Sequence, residues 1–396
     1  MKSENQKLLL YKDARIISYS DQYWDEVKTF IKRNWREDHS ICNKELFDWQ
    51  FRGFGDKKKK LNTFLLFYED ELIGIRGTIP GLYQVPVHNR EMRIVLGGAS
   101  AMWSIDTSYR YGVFGFMLLN EALKTMNVIT GLGSNPKTSL PFYIHTGFKI
   151  LDSMHRYVAP LEVDGYYKLI AIKSQYKQIR EWTRIWDNVT TVVEPHEPNI
   201  NEISSVWENT TFPLRIFSLY RNADFWRWRY LESAGHRYLF FGEPKSTGII
   251  VARVEEVITT IEPGLDGQKI FRIIEIVPSN TISWRGEIDN NLASLLQGAI
   301  NWAIYQGCVA VDFYCSTTRF EPVLFEIGLK KFDINDSICS LALLFQPLKY
   351  VEKAVNSFFR VNIEGVSSNI KFEDTYMVKS DGDQDRPNMD VFCFNS

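Results

Sequence analysis

The turn Tyr109-Arg110-Tyr111-Gly112-Val113-Phe114-Gly115 is the stretch of this chain whose residue types suit a phosphate. An amphipathic segment carrying Leu118 and Leu119 begins on it, so the turn opens a helix. A helix N-terminus offers unpaired backbone N–H groups and the positive end of the helix dipole. Glycine in the turn lets an anion approach that backbone closely, and Arg110 adds a full charge. An anionic, pyrophosphate-bearing cofactor fits this chemistry. Taken alone, the same residues also make an ordinary strand-to-helix turn. Side chains able to exchange a proton flank it: Asp38 and His39 upstream, Tyr143 and His145 downstream. Histidine has the pKa range to take a proton from an amine near neutral pH. The Asp38-His39 stretch also reads as an exposed polar loop, and Tyr143 as a core aromatic.

These residues need elements to hold them. Alternation over 14–20 predicts a strand, with Asp21 as cap of a helix that turns Trp24, Val27, Phe30 and Ile31 to one side. Leu46, Phe47 and Phe51 mark a second helix, and the lysines at 57–60 a loop tip. Strands follow over 64–68, 72–79 and 93–105, the last holding Gly97-Gly98, which suggests a bulge or a ligand's close approach. A helix over 114–126, a strand over 128–133, another over 147–160 and a helical stretch over 166–186 complete the first half. The second half repeats the first. Residues 46–51 are echoed by 225–230, and 128–133 by 309–314. Pro141 precedes Gly147 by six residues, as Pro322 precedes Gly328. The phosphate-loop turn and Tyr143 have no counterpart in the second copy, where Leu324 stands at the tyrosine position. A break at 194–198, rich in Glu and Pro, separates the copies.

Composition is ordinary for a globular protein of 396 residues, and a net charge of −2 argues against a nucleic-acid binder. Five scattered cysteines without metal-site or disulfide spacing read as free thiols of a reducing cytoplasm. No metal site, signal peptide or membrane span is expected.

On these residues the chain resembles the GNAT acyltransferases. In that family a strand ends in a loop of pattern Gln/Arg-x-x-Gly-x-Gly/Ala that opens a helix. The next strand diverges from the first, and a later Tyr stands four residues before Gly-Phe. Arg110, Gly115, Leu118-Leu119, Asn135, and Tyr143 before Gly147-Phe148 match. Val113 departs, for the family has its first Gly there and Gly112 stands one residue early. The resemblance implies an α/β (α+β) chain of two tandem GNAT-like domains, each a mixed, mostly antiparallel sheet flanked by helices. Residues 1–190 would form the domain with the acyl-CoA site, and 191–396 a degenerate domain and tail. It further implies acyl-coenzyme A as co-substrate. The N–H groups of Tyr111, Gly112, Val113, Phe114, Gly115 and Phe116 would hold the pyrophosphate, beside Asn135. The pantetheine arm would pair with Trp103, Ser104 and Ile105, the Ile105 N–H polarising the thioester carbonyl. Tyr143 would protonate the departing thiolate, and His39 would accept the amine's proton. Trp35, Asp38 and His145 would border the acceptor.

Tandem chains of this kind resemble bacterial N-acyltransferases of nucleotide-linked amino sugars. Among these the chain looks most like those acting on dTDP-3-amino-3,6-dideoxyhexoses, a resemblance that implies a 3-hydroxybutanoyl or acetyl donor and a role in lipopolysaccharide O-antigen. More distant is the resemblance to Fem-type enzymes that use aminoacyl-tRNA. A non-catalytic acyl-CoA-binding protein is the third reading. A monomer is expected, because the second copy occupies the place of a partner subunit.

Overall fold

The computed structural model describes residues 13–54, 61–88, 91–110, 113–173, 175–188, 190–260, 262–333, 335–350, 354–363, 366 and 370–387. The lysines at 57–60, Tyr111, Gly112 and Cys393 lie outside the described residues.

The first half runs β1 (Ala14–Ser18), α1 (Trp24–Asn34), α2 (Lys44–Arg52), β2 (Thr63–Tyr68), β3 (Glu71–Pro86) and β4 (Met92–Ile105). It continues α3 (Phe114–Thr125), β5 (Val128–Leu132), α4 (Ser139–His145), β6 (Lys149–Leu151) and β7 (His155–Pro160). Spacing of three and four residues lets α1 bury Val27, Phe30 and Ile31. Likewise α2 buries Leu46, Phe47 and Phe51, and both helices pack on Leu65 and Ile75 of the sheet. Asn43 caps α2 by accepting from the Leu46 N–H at 3.1 Å. Asp21 is not a cap: it opens a short 3₁₀ turn, Asp21–Tyr23, that precedes α1.

The chain continues through α5 (Val163–Leu169) and α6 (Tyr176–Thr183), and after residue 190 come α7 (Ile200–Thr211), β8 (Phe217–Leu219) and α8 (Ala223–Trp226). Then come β9 (Leu239–Phe241), β10 (Ile249–Glu256), β11 (Lys269–Val277), α9 (Asn290–Tyr305) and β12 (Cys308–Cys315). The chain ends through α10 (Glu321–Glu326), β13 (Lys330–Lys331), β14 (Leu344–Phe345), β15 (Leu348–Lys349), β16 (Ser357–Val361) and β17 (Thr375–Tyr376). One sheet has the order β1-β2-β3-β4-β5-β16-β6, with β8 joined to β3 and β17 to β8. The other has the order β13-β7-β12-β11-β10-β9. The fold is thus mixed α/β, with open, mostly antiparallel sheets flanked by helices.

The strand expected over 147–160 divides at a turn, and its two parts enter different sheets. β7 leaves the first half and pairs with β12, while β16 comes back to lie between β5 and β6. The halves are therefore interlocked by an exchanged strand on each side. The echoed helices meet as well. Trp49 and Trp228, equivalent in the repeat, stack at 5.0 Å, and each indole N–H donates to the other's carbonyl at 3.2 Å.

The Gly97-Gly98 pair has a packing reason. A Cβ on Gly97 would lie 2.6 Å from the Tyr83 ring and 2.7 Å from the Val128 carbonyl. One on Gly98 would lie 2.5 Å from the Met126 sulfur. The bulge stands further on: Thr78 faces Ser100 and Gly77 faces Met102, leaving Ala101 as the extra residue.

An ion network runs through the second sheet into the C-terminal segment. Arg272 donates to Asp312 at 3.0 Å and to Glu255 at 2.8 Å, and Arg156 to Asp312 at 2.9 Å. Arg253 reaches Asp385 at 3.1 Å, and Arg221 reaches Glu275 at 2.7 Å and Asp381 at 2.8 Å. All these groups are buried. Burial pushes the Glu255 carboxyl up, but Arg253 and Arg272 outweigh it and hold it at about 2, against an ordinary 4.5. The unfolded chain thus takes the proton first. The contribution is complete above the ordinary value and is lost as pH falls towards the folded one. It amounts to about 3 kcal/mol, at about 1.4 kcal/mol per pH unit. Chemical denaturation of Glu255→Gln across acid pH should therefore show lower stability at pH 7 and a flatter loss between pH 4.5 and 2. An unchanged slope would contradict this account.

Candidate active site

A cavity of about 620 Å³ opens where β4 and β5 part. The two strands pair in parallel from Gly97 opposite Val128 to Ser100 opposite Gly131. Beyond Ser100, β4 keeps β3 as its partner and β5 keeps β16. The edge of β4 from Ala101 to Ile105 therefore faces the gap. The Asp106 N–H donates to the Ile73 carbonyl at 2.8 Å. By strand alternation the N–H groups of Ile105 and Trp103 point away from β3, into the gap.

At the outer end stands the N-terminus of α3. Its cap, Val113, has no acceptor on its side chain, so the first-turn N–H groups of Phe114, Gly115 and Phe116 gain no side-chain cap from it. Gly115 lines the cavity, and a Cβ there would meet the Trp103 ring no closer than 3.5 Å. No protein contact requires this glycine; the space it leaves opens on the cavity. Arg110 donates through Nε to the Ile105 carbonyl at 3.1 Å, which fixes its guanidinium at the mouth. Lys137 and Asn135 line the opposite rim, where Asn135 Oδ1 accepts from the Lys137 N–H at 2.9 Å.

At the inner end Tyr143 is buried. Its hydroxyl lies 2.7 Å from Ser100 Oγ, and its ring stacks on Phe358 at 4.0 Å and meets Trp103 edge-on at 5.3 Å. α4 presents Tyr143 inward and leaves His145 on its exposed outer side, away from the cavity lining. A strand rises about 3.3 Å per residue, so Ile105 lies on the order of 15 Å beyond Ser100. Residues 101–103 of β4 therefore lie nearer the Tyr143 hydroxyl, and Ile105 lies towards the outer end, by Arg110.

The cavity brings together Trp35, His39, Trp103, Ser104, Ile105, Arg110, Gly115, Asn135 and Tyr143. It does not include Asp38, which is exposed and paired with Arg36 at 3.3 Å. Phe114 is buried against Leu66 and Leu118, while Val113 and Phe116 face outward at 41% and 44% exposure. Sequence reasoning missed Gln50, Ser100, Asp383, Gln384 and Arg386, all lining residues. The last three arrive from more than 200 residues away in sequence, and only the polar run Asp-Gln-Asp-Arg at 383–386 marks them.

His39 differs from the expectation of an ordinary imidazole. Burial, then the charges of Arg386 and Arg36, push it down to about 3. Its Nδ1 accepts from the Ile41 N–H at 3.2 Å, and Nε2 faces the Arg386 guanidinium at 3.4 Å. It is neutral at pH 7 and holds a proton too weakly to store one. Arg386 in turn pairs with Asp383, the carboxylate among the described lining residues.

Strands β11 and β12 of the second sheet also pair in parallel over a short stretch. β11 and β12 pair from Ile270 opposite Ala310 to Ile273 opposite Phe313. There the chain fills its own gap: the Tyr376 hydroxyl accepts from the Ile276 N–H at 3.2 Å and donates to the Ile276 carbonyl at 3.1 Å. Val378 bridges to Cys315 beside it.

No protein-family model matches this chain, and no curated protein matches its sequence. Solved structures do match its shape. A GCN5-related N-acetyltransferase from Anabaena variabilis is 12% identical, with a TM-score of 0.50 over 88% of this chain and 73% of its own. A conserved protein of Enterococcus faecalis described as a probable N-acyltransferase is also 12% identical, with a TM-score of 0.50 over 88% and 72%. Saccharomyces cerevisiae N-myristoyltransferase with bound myristoyl-CoA is 11% identical, with a TM-score of 0.51 over 88% and 83%. The likeness at these identities is one of fold, the GCN5-related N-acetyltransferase fold.

The low basicity of His39 can be read directly. In a proton NMR titration its ring resonances should stay those of neutral imidazole from pH 8 down to about 4. A midpoint near 6.5 would contradict the burial and the Arg386 contact.

Proposed function

We propose that this protein is an N-acyltransferase that takes its acyl group from coenzyme A and passes it to an amine by direct attack. One observation carries the reading: a single cleft joins the N-terminal turn of α3, where Gly115 and Arg110 line its mouth, to a buried tyrosine hydroxyl at its inner end. That arrangement suits an elongated donor with an anionic head and a reactive tail. The solved yeast enzyme of this fold holds an acyl-CoA, which supports the choice of donor.

In this reading the N–H groups of Phe114, Gly115 and Phe116 take the pyrophosphate, with Arg110 and Lys137 adding charge. The β4 edge at 103–105 pairs with the pantetheine arm, and backbone donors at 101–103 polarise the thioester carbonyl. Tyr143 gives its proton to the leaving thiolate. A phenol hydroxyl held in place can donate its proton to a departing thiolate as a general acid. His39 orients the cavity wall through Ile41 and Arg386, and the amine's proton passes to water. None of the described cysteines lines the cavity, so the acyl group goes straight to the amine. The second copy, closed by Tyr376, serves as a wall.

The acceptor we infer is the amine of a nucleotide-linked deoxyamino sugar. Trp35 at the rim, 38% exposed, offers a base-stacking face, and Arg386 and Asp383 offer polar contacts to a sugar. The enzyme would act as a cytoplasmic monomer.

Acyl-CoA donors screened against dTDP- and UDP-amino sugars by mass spectrometry should reveal an amide product of matching mass. Arg110→Ala should weaken acyl-CoA binding about five- to tenfold, as expected for one exposed charged contact. Tyr143→Phe should lower kcat about a hundredfold with little change in KM. Acylation at the normal rate by Tyr143→Phe would remove the acid role while leaving the donor assignment intact.

A further inference from the structure

Beneath Ser100 and Trp103, which line the cleft, lies a charge that the reaction just described does not use. Arg76 of β3 is fully buried. Its Nη2 donates to Ser100 Oγ at 3.3 Å, and Nε and Nη1 have no hydrogen-bond partner among the described residues. No carboxylate of a described residue pairs with it. The guanidinium lies over the Trp103 ring, 4.9 Å from its centre. Arg221, the other arginine of the described residues with no exposed surface, has Glu275 and Asp381 beside it. A buried cation without a counter-charge is expensive to keep, so its neighbours indicate its use.

Those neighbours are set by the bulge. Arg76 faces Trp103 across the ladder, and Thr78 faces Ser100. Residues 76 and 78 share one face of β3, so their partners share it too. In a regular strand, Ser100 and Trp103 would point to opposite faces, being an odd number of residues apart. The extra residue, Ala101, brings both onto the face of Arg76. Ser100 then touches Arg76 on one side and the Tyr143 hydroxyl, at 2.7 Å, on the other.

We propose that Arg76, acting through Ser100, is the positioning residue that turns the Tyr143 proton towards the cleft and stabilises the oxygen it leaves behind. The proposal rests on the acyl-transfer reading. Arginine only donates, so Ser100 Oγ accepts from Arg76; in the proposed arrangement the Ser100 hydrogen goes to the Tyr143 oxygen. The Tyr143 hydrogen is thereby free to point into the cavity. In the step itself the amine nitrogen bonds to the acyl carbon, the C–S bond breaks, and sulfur takes the Tyr143 proton. The phenolate accepts from Ser100, within reach of the Arg76 charge. The new amide nitrogen loses its extra proton to water, and water restores the Tyr143 proton. The low dielectric around a buried chain of this kind strengthens each link.

A double-mutant cycle tests this. Steady-state kcat and KM are measured for the intact chain, Arg76→Met, Tyr143→Phe and the double variant, with Arg76→Lys as the charge-keeping control. Arg76→Met should lower kcat about 30-fold and leave the KM for acyl-CoA within about twofold. In the Tyr143→Phe background the same change should cost less than about threefold, because the proton it serves is gone. Arg76→Lys should recover most of the rate. Equal losses in both backgrounds would overturn the proposal, since a merely structural arginine acts whether or not Tyr143 has its hydroxyl. If Arg76→Met does not fold by thermal melting, Ser100→Ala takes its place in the cycle with the same coupling expected. An intact chain that transfers no acyl group from any CoA thioester overturns the acyl-transfer reading itself, and the proposal with it. Transfer with additive losses overturns the relay alone.

Discussion

Strands β4 and β5 stay together for four residue pairs and then part, and the rest of the site depends on that parting. A parallel pair left unfinished exposes backbone donors and acceptors that must be met by something. In the first copy they face a cavity. The divergence also fixes the reach of the site, from Ser100 and Tyr143 inside to the start of α3 outside. Glycines at 97 and 98 let the strands and Tyr83 come together just before they separate. The bulge at Ala101 then decides which side chains look at the floor.

In the second sheet the parting of β11 and β12 is met differently. Residues 375–378 enter the gap, and the Tyr376 hydroxyl satisfies both the N–H and the carbonyl of Ile276. The same segment runs on through Asp381 and Asp385, which are gripped by Arg221 and Arg253, to Asp383, Gln384 and Arg386 at the first cavity. One stretch of chain therefore closes one cleft and walls the other. The ion network that anchors it connects the stability of the second sheet to the shape of the first copy's site. The exchanged strands β7 and β16 and the reciprocal Trp49–Trp228 contact bind the two copies further.

Much of the frame was legible in the sequence, because helix spacing and strand alternation are local. The helix at 114–126 is observed as Phe114–Thr125, and the echo between 46–51 and 225–230 became a physical contact. The outer half of the cavity lining was legible for the same reason: Arg110 and Gly115 stand five residues apart in sequence. Residues brought in by topology were not. Arg386 reaches His39 across 347 positions, and its charge, together with burial, turns an ordinary imidazole into a very weak base. Ser100 was hidden because a one-residue bulge changes its face, and periodicity alone assigns it the wrong side. The expected strand over 147–160 failed similarly, since its halves are separated by an exchange between sheets that local pattern does not encode.

In the proposed reading acyl-CoA occupies the cleft between β4 and β5 and not the gap between β11 and β12. Amide hydrogen exchange, followed by mass spectrometry with and without an acyl-CoA, reads this out. Added protection is expected at 101–105 and 113–117, with 274–290 unchanged. Protection at 274–290, or none at 101–117 at saturating donor, would contradict it.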